Sequence, residues 1–437
     1  MNILLINPFQ AQNINRYMHR FFPVANVTAP YLASLIPSGH NITIVNEAQQ
    51  RIDFDHPADL VFISTLTLNA SRAYRIAAQF RKRGRLVVLG GPHASACPDE
   101  AERHADAVAV GNAEPVMAEI IADAARRDLK PRYHNRQPVQ LPSDVVGKAA
   151  SSWQSSILAS RGCELQCSFC SSQNIFGKFY LQRPLEKVLA DIDATETKYV
   201  NFLDDNFYGA SSEAHAYYDE ILKALRRKGI SWLAQVRLPI LTDEVLSKFR
   251  DSNCAGFLVG FESINPDNTR DVGKKVDADF FLKEIGRIHA KGIGVVGSFI
   301  FGFDEDTPET LENTIDFCVE SRMELAAFSL LTPYPGTKIY ADLEAQGRII
   351  SRNWDDYNCD KVVYRPKNFT PQELAERKLQ AVKRFYTWSS IYKRMKFGMN
   401  YDIFHLYLKP NLLRKLALMG TNKTASSLAQ KESETYA

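Results

Sequence analysis

Residues 160–173 read SRGCELQCSFCSSQ and hold Cys163, Cys167 and Cys170 at spacings of four and three. The chain has seven cysteines in all, so three within one short loop is a concentration that asks for a chemical reason. An even set would suit a disulfide framework or a closed tetrahedral zinc site. Three thiolates leave a coordination position open. A [4Fe–4S] cubane held through three irons, its fourth iron vacant for a chelating small molecule, fits such a set. A catalytic zinc also keeps one position open, but it recruits histidine or carboxylate, and the nearest histidines, His134 and His215, lack zinc spacing. The cubane is the expectation. Cys97, Cys254, Cys318 and Cys359 are isolated and read as structural thiols.

The cysteine loop follows an apolar run, QSSILASRG (154–162), that opens a series. KYVNFLDDN (198–206), SWLAQVRLP (231–239), AGFLVGFES (255–263), IGVVGSFIFGF (293–303) and AAFSLLTPYPGT (326–337) are the next strand candidates. Helical periodicity lies between them over 185–195, 212–228, 242–251, 278–291 and 308–321. Six β/α units predict a partial (β/α)6 TIM-type barrel over residues 153–340, with reactive groups at the C-terminal strand ends. Those ends carry the cysteine loop, Asp204-Asp205-Asn206, Gln235 and Arg237, Glu262-Ser263, Ser298 with Gly302, and Thr332.

Upstream, residues 1–130 alternate apolar runs at 2–8, 41–47, 58–65, 85–91 and 105–111 with helical patterns at 70–83 and 114–127. That alternation predicts an N-terminal doubly wound parallel sheet, so the whole chain reads as α/β. Ligands of such sheets sit beyond the carboxyl ends of the strands. Here those ends are Asn7-Pro8, Ser64-Thr65-Leu66, Gly90-Gly91-Pro92-His93 and Gly111-Asn112. Residues 131–152, with three separated prolines and no period, read as a linker. Residues 341–421 read as a helical C-terminal region and 422–437 as a disordered tail. Between Lys383 and Lys423 nine basic residues stand against one acid and interleave with aromatics. Peripheral contact with an anionic membrane, a face for a greasy substrate, or a terminal helix packed on its domain would each produce that pattern.

Composition narrows the class. With 53 basic and 50 acidic residues the net charge is +3, which gives no electrostatic case for nucleic acid. No run approaches the roughly 18–20 apolar residues of a membrane span, and MNILLINPFQ reads as a buried strand rather than a signal peptide. A cytoplasmic enzyme is expected.

Cys163-x3-Cys167-x2-Cys170, with Phe169 directly before the last cysteine, resembles the signature of radical S-adenosylmethionine (SAM) enzymes. The resemblance implies that the amino and carboxylate groups of SAM chelate the vacant iron. A reduced cluster then splits the sulfonium to a 5′-deoxyadenosyl radical, which takes a hydrogen atom from a small-molecule or lipid-like substrate. It also implies a reducing donor such as flavodoxin or ferredoxin. Phe169 would lie near the adenine. Asp204, Asp205 and Asn206 would lie near the SAM amino group, where relatives more often carry Gly-Gly-Glu. Gln235, Arg237, Glu262, Ser263 and Ser298 would lie near the ribose and carboxylate.

STL (64–66), VVLGGPH (87–93) and ADAVAVGNAE (105–114) resemble the cobalamin-binding domain that precedes many radical SAM domains. SFIFGFDEDTPE (298–309) and TPYPGT (332–337) resemble the same two-domain subclass. This implies cobalamin at Ser64, Leu66, Gly90, Gly91 and Gly111. Residues 1–130 contain no Asp-x-His-x-x-Gly, so no histidine is placed as a lower cobalt ligand, and His93 belongs to the GGPH turn. The resemblance implies a cobalamin-dependent methyltransferase acting on an unactivated carbon of a lipid, tetrapyrrole or natural-product intermediate. The alternative is a cobalamin-independent rearrangement, dehydrogenation or deoxygenation. A second tight cysteine motif, which a methylthiotransferase would need, is missing. A non-catalytic iron–sulfur regulator would need no second cofactor rim.

Overall fold

A computed structural model describes residues 1–9, 28–135, 137, 139, 154–172, 179–269, 277–395 and 406–419. The tail expected at 422–437 and most of the expected linker lie outside the described residues.

The first sheet contains β1 (Asn2–Asn7), β2 (Asn41–Asn46), β3 (Leu60–Ser64), β4 (Leu86–Gly90), β5 (Ala107–Gly111) and β6 (Arg132–Asn135). All pairings are parallel and the order is β2-β1-β3-β4-β5-β6. Along β1, Leu4 and Ile6 join one buried cluster with the helix Ala70–Lys82, while Ile3 and Leu5 join another with the helix Met117–Arg126. Alternate residues thus face helical layers on both sides, which is why the strand reads as an unbroken apolar run. Strand order reverses between β1 and β3, so the crevice outside their carboxyl ends, at Pro8 and Leu66, is the switch point of the sheet. β6 falls inside the stretch expected to be a linker. Of its four residues only Tyr133 is buried, so a short polar edge strand leaves no periodicity to read.

The second unit contains β7 (Gln154–Ile157), β8 (Ser160–Gly162), β9 (Tyr180–Gln182), β10 (Tyr199–Phe202), β11 (Ser231–Val236), β12 (Cys254–Glu262), β13 (Gly294–Phe301) and β14 (Leu325–Leu330). Six of them form a parallel sheet in strict chain order, β14-β13-β12-β11-β10-β7, the topology of an open β/α barrel. The first expected strand, 154–162, is two. Asp204 accepts N–H bonds from Ala159 (2.7 Å) and Ser160 (3.1 Å) and turns the chain out of the barrel, and β8 pairs antiparallel with β9 instead. Barrel helices lie within about one residue of expectation because side chains mark their starts. Ser211, Thr242, Asp277 and Thr307 each accept an N-cap hydrogen bond, and Gly229 ends the helix Ser212–Lys228 in the left-handed region.

Downstream, the helices Lys338–Ala345, Pro371–Phe385, Trp388–Arg394 and 406–419 make up the helical C-terminal region, with a strap at 346–370 whose one helical turn is the 3-10 segment Trp354–Asp356 between the first two. Phe385, Tyr386 and Tyr407 of this segment are buried, whereas of its described basic residues only Arg394 is, with Lys383, Arg384, Lys393 and Lys409 exposed. Arg394 is fully buried and donates to the carbonyls of Met323 (2.9 Å), Glu324 (2.8 Å) and Phe385 (3.1 Å). Tyr407 lies against Gly256 and Gly294, where a Cβ would collide with its ring or hydroxyl. Trp388 and Tyr392, one helical turn apart, are exposed. Among the described residues no helix is long and apolar enough to cross a membrane.

Candidate active site

Cys163, Cys167 and Cys170 lie on the loop that leaves β8, none of them in a disulfide and all partly exposed. The Cys170 amide donates to the Cys167 carbonyl (3.1 Å), which closes a turn between two of the thiols. The loop is braced on several sides. Gly162 sits at φ 86°, where a Cβ would strike the Phe179 carbonyl, and its amide donates to Asp205 Oδ2 (3.1 Å). Ser172 Oγ donates to Asp205 Oδ1 (3.2 Å), and the Ile339 amide donates to the Ser168 carbonyl (3.0 Å). Phe169 meets Phe303 edge-on at 6.0 Å. Burial pushes the Cys163 thiol up, while the Leu165 amide and the positive charge of Arg237 pull it down. Among the described residues no three His, Cys, Asp or Glu side chains converge as ligands of one ion. Thiolates around one tetrahedral zinc stand about 3.8 Å apart. On a cubane each thiolate holds a different iron, and three thiolates are what this loop supplies.

The strand-end residues divide into two groups. Arg237 acts on Cys163 and keeps a buried Nε with no partner. Asn206, fully buried at the end of β10, has both amide atoms unpartnered, an arrangement that calls for a polar ligand group. Glu262 ends β12 at φ 63° on a bulge between Gly260 and Glu262, and Ser298 pairs with Gly260 on the next strand. Strain of that kind in a non-glycine residue persists where the surroundings fix it, commonly at functional sites. Gln235 is exposed near the end of β11, with its carbonyl accepting from the Phe207 amide (2.9 Å).

Two expected ligand residues are instead internal. Asp204 is buried, with Oδ1 accepting from Ala159 and Ser160 and Oδ2 from the Tyr218 hydroxyl (2.8 Å), so it fixes the strand break rather than facing a ligand. Ser263 is buried too, and its hydroxyl accepts from the Asn265 amide (3.1 Å) and Asn268 Nδ2 (3.0 Å) within its own turn.

Burial pushes the Asp204 carboxyl up to about 6 from 3.8, its hydrogen bonds opposing the shift. The folded chain therefore binds this proton more tightly than the unfolded chain. The group's contribution to stability is present at low pH and is lost as pH rises from about 4 to about 6. Asn at this position keeps the Oδ1 acceptor. Asp204→Asn is expected to flatten the fall in stability over that window by up to about 1.4 kcal/mol per pH unit. Urea unfolding of both proteins from pH 4 to 7 measures it, and equal slopes would reject this account.

At the first sheet the loops are laced into a rim. The Thr65 amide (2.8 Å) and hydroxyl (2.7 Å) both donate to the Gly90 carbonyl, and the His93 amide donates to the Thr65 carbonyl (3.0 Å). Asn69 accepts from the Leu66 amide (2.8 Å) and donates to the Pro8 carbonyl (3.0 Å), and the Gly111 amide donates to Ser95 Oγ (2.9 Å). Leu66 is 46% exposed at this edge, an apolar side chain held out of the core beside Ser64 and Gly91. Asn7 Nδ2 and Asn112 Oδ1 are buried there without partners. An exposed apolar side chain beside orphaned amide atoms suits a large amphipathic cofactor. His93 is fully buried, its ring nitrogens engaged by Thr67 Oγ1 (3.3 Å) and the Tyr74 hydroxyl (3.1 Å), so it is no metal ligand.

A contact that the sequence reading missed joins the two units. Arg161, on β8, forms a buried ion pair with Glu114, which lies just beyond β5, and Tyr31 donates to the same carboxylate. The only sequence signal was a charge inside the apolar run before Cys163.

Residues 157–318 match the Radical SAM superfamily and residues 27–121 match the B12 binding domain. The chain is 31% identical over 377 residues to bacteriochlorophyllide d C-12(1)-methyltransferase of Chlorobaculum tepidum, a match spanning 82% of this chain and 81% of that one. It is 30% identical over 402 residues to bacteriochlorophyllide d C-8(2)-methyltransferase of the same organism, spanning 86% and 88%. Its fold is similar to that of TsrM from Kitasatospora setae, a radical S-adenosylmethionine methyltransferase, with a TM-score of 0.64 at 18% identity over 79% of this chain and 76% of that one.

Proposed function

The chain belongs to the radical SAM superfamily, in the subclass with an N-terminal B12-binding domain, and from that membership we infer a cobalamin-dependent methyltransferase acting on an unactivated carbon of a tetrapyrrole. The observation that carries the reading is the joining of a three-cysteine loop to the rim of a second, cobalamin-type sheet by one buried ion pair. The relatives' bacteriochlorophyllide substrates support the tetrapyrrole class.

Cys163, Cys167 and Cys170 would hold the cluster, and the rim from Ser64 and Leu66 to Gly91 and Gly111, with Asn7 and Asn112, would hold cobalamin. When bound, the cluster with SAM supplies the radical chemistry that opens a C–H bond, and cobalamin supplies the methyl carrier. The chain's own part is binding and orientation. Arg237, with its free Nε, suits the SAM carboxylate. Asn206 presents a donor and an acceptor to a zwitterionic ligand, and Glu262 with Ser298 suits ribose hydroxyls. Asp205 holds the loop rather than the ligand, since both its oxygens accept from Gly162 and Ser172. A flavodoxin- or ferredoxin-type donor would approach the loop where Glu164 and Gln166 are exposed.

Anaerobic isolation from cobalamin-fed cells, with iron, sulfide and cobalt assayed on one sample, is the first test. About four irons and about one cobalt per chain are expected. Methyl-labelled SAM, a reductant and a bacteriochlorophyllide-type tetrapyrrole should then give labelled product together with 5′-deoxyadenosine. Iron without cobalt, and SAM cleavage without label transfer, would replace methylation by rearrangement or deoxygenation.

A further inference from the structure

Resting on that two-cofactor reading, we propose that Arg161, Glu114 and Tyr31 act as a clamp that sets the position of the cluster loop against the cobalamin rim. Arg161 lies two residues before Cys163, Glu114 three residues after Gly111, and Tyr31 on the helix Thr28–Ser34 of the first unit. Arg161 Nη1 pairs with Glu114 Oε1, the Tyr31 hydroxyl donates to that same oxygen, and the guanidinium lies over the Tyr31 ring at 5.0 Å. The side chains of Arg161 and Glu114 are 9% and 7% exposed.

A buried ion pair is poor material for stability, because desolvating two charges offsets most of their attraction and apolar residues of the same shape do as well. Direction is what it supplies. A planar guanidinium held by a carboxylate on its edge and an aromatic ring on its face has one orientation, and the backbone of β8 carries that orientation to Cys163. The other braces of the loop, through Asp205, Phe303 and Ile339, all come from its own barrel or the helix after it. A second polar link between the units, Trp354 Nε1 donating to Glu100 (2.7 Å), comes from the C-terminal strap and does not touch the loop. Loss of the clamp therefore leaves the cluster built and the units joined, but frees the loop relative to the rim. Misplacement of about 1 Å costs a positioned reaction on the order of 10²-fold.

Arg161→Met and Glu114→Gln test this in the full chain loaded with cluster and cobalamin. Iron content and 5′-deoxyadenosine formation should stay within about twofold of wild type, while methylated product per 5′-deoxyadenosine falls on the order of 10- to 100-fold. Arg161→Lys, which keeps the charge and loses the planar fork, should fall between. Pulsed electron paramagnetic resonance between the reduced cluster and Co(II) should give one narrow distance in wild type and a broadened or shifted one in both variants. An unchanged product ratio with an unchanged distance overturns the clamp. Loss of iron in parallel with product, in Arg161→Lys as in Arg161→Met, also overturns it by showing a merely structural pair. A wild type that cleaves SAM yet transfers no methyl overturns the underlying reading, whatever the variants do.

Discussion

Replacing Cys163, Cys167 or Cys170 singly with alanine is expected to abolish the cluster absorbance and SAM cleavage together. Each thiolate would hold a different iron, so no two can do the work of three. Ser172 and Asp205 are bonded to each other, and Glu164 is exposed. Cys254 and Cys318 give the control. Both are buried in the main core, and burial drives their thiols well above the ordinary range, so neither is a ready thiolate. Alanine at either should lower stability by the lost packing, on the order of 1–2 kcal/mol, and leave iron per folded chain unchanged. Full SAM cleavage in all three loop variants would reject the cluster assignment.

The same loop shows what a linear sequence discloses and what it conceals. The first sheet was legible because its strands are covered on both faces and read as apolar runs, as in Leu60–Ser64 and Leu86–Gly90, and the second because its strands alternate buried with less buried residues, as in Tyr199–Phe202 and Ser231–Val236. Helix starts were legible because capping is local: Ser211 and Thr242 accept from amides three residues on. The strand break at Ala159 was not legible, since its cause, Asp204, lies 45 residues downstream. For the same reason Asp204 was misread. A carboxylate just past a strand end has the same sequence position whether it meets a ligand or braces a neighbouring strand, and only the fold distinguishes the two. Arg161 was passed over because its partner is 47 residues upstream on another sheet. What the sequence concealed is the set of non-local polar contacts, and these are the contacts that aim the cysteines.

Gly90 and Gly91 make the sharpest case, and alanine at the two positions is expected to give opposite results. From sequence alone both glycines read as places where a corrin could approach the backbone. In the structure only Gly91 is required by the protein itself. It sits at φ 93°, and a Cβ there would lie 2.9 Å from both the amide nitrogen and the carbonyl oxygen of Thr65, backbone atoms that cannot swing aside. The strained φ costs on the order of 1–2 kcal/mol, and the clash disrupts the Thr65–Gly90 and His93–Thr65 bonds that shape the rim. A total of about 3 kcal/mol against the binding-competent rim would lower cobalamin affinity on the order of 10²-fold. Gly91→Ala should therefore lose cobalt and stability together. At Gly90 a Cβ would meet only Ala109, at an ordinary 3.7 Å, so Gly90→Ala should keep the unfolding temperature of wild type. Its cobalt content then reports on the cofactor alone. Loss of cobalt from a fully stable Gly90→Ala protein means that cobalamin lies directly against the end of β4. Full retention moves the cofactor toward the switch point between β1 and β3, where Asn7 and Leu66 become the contacts to substitute next.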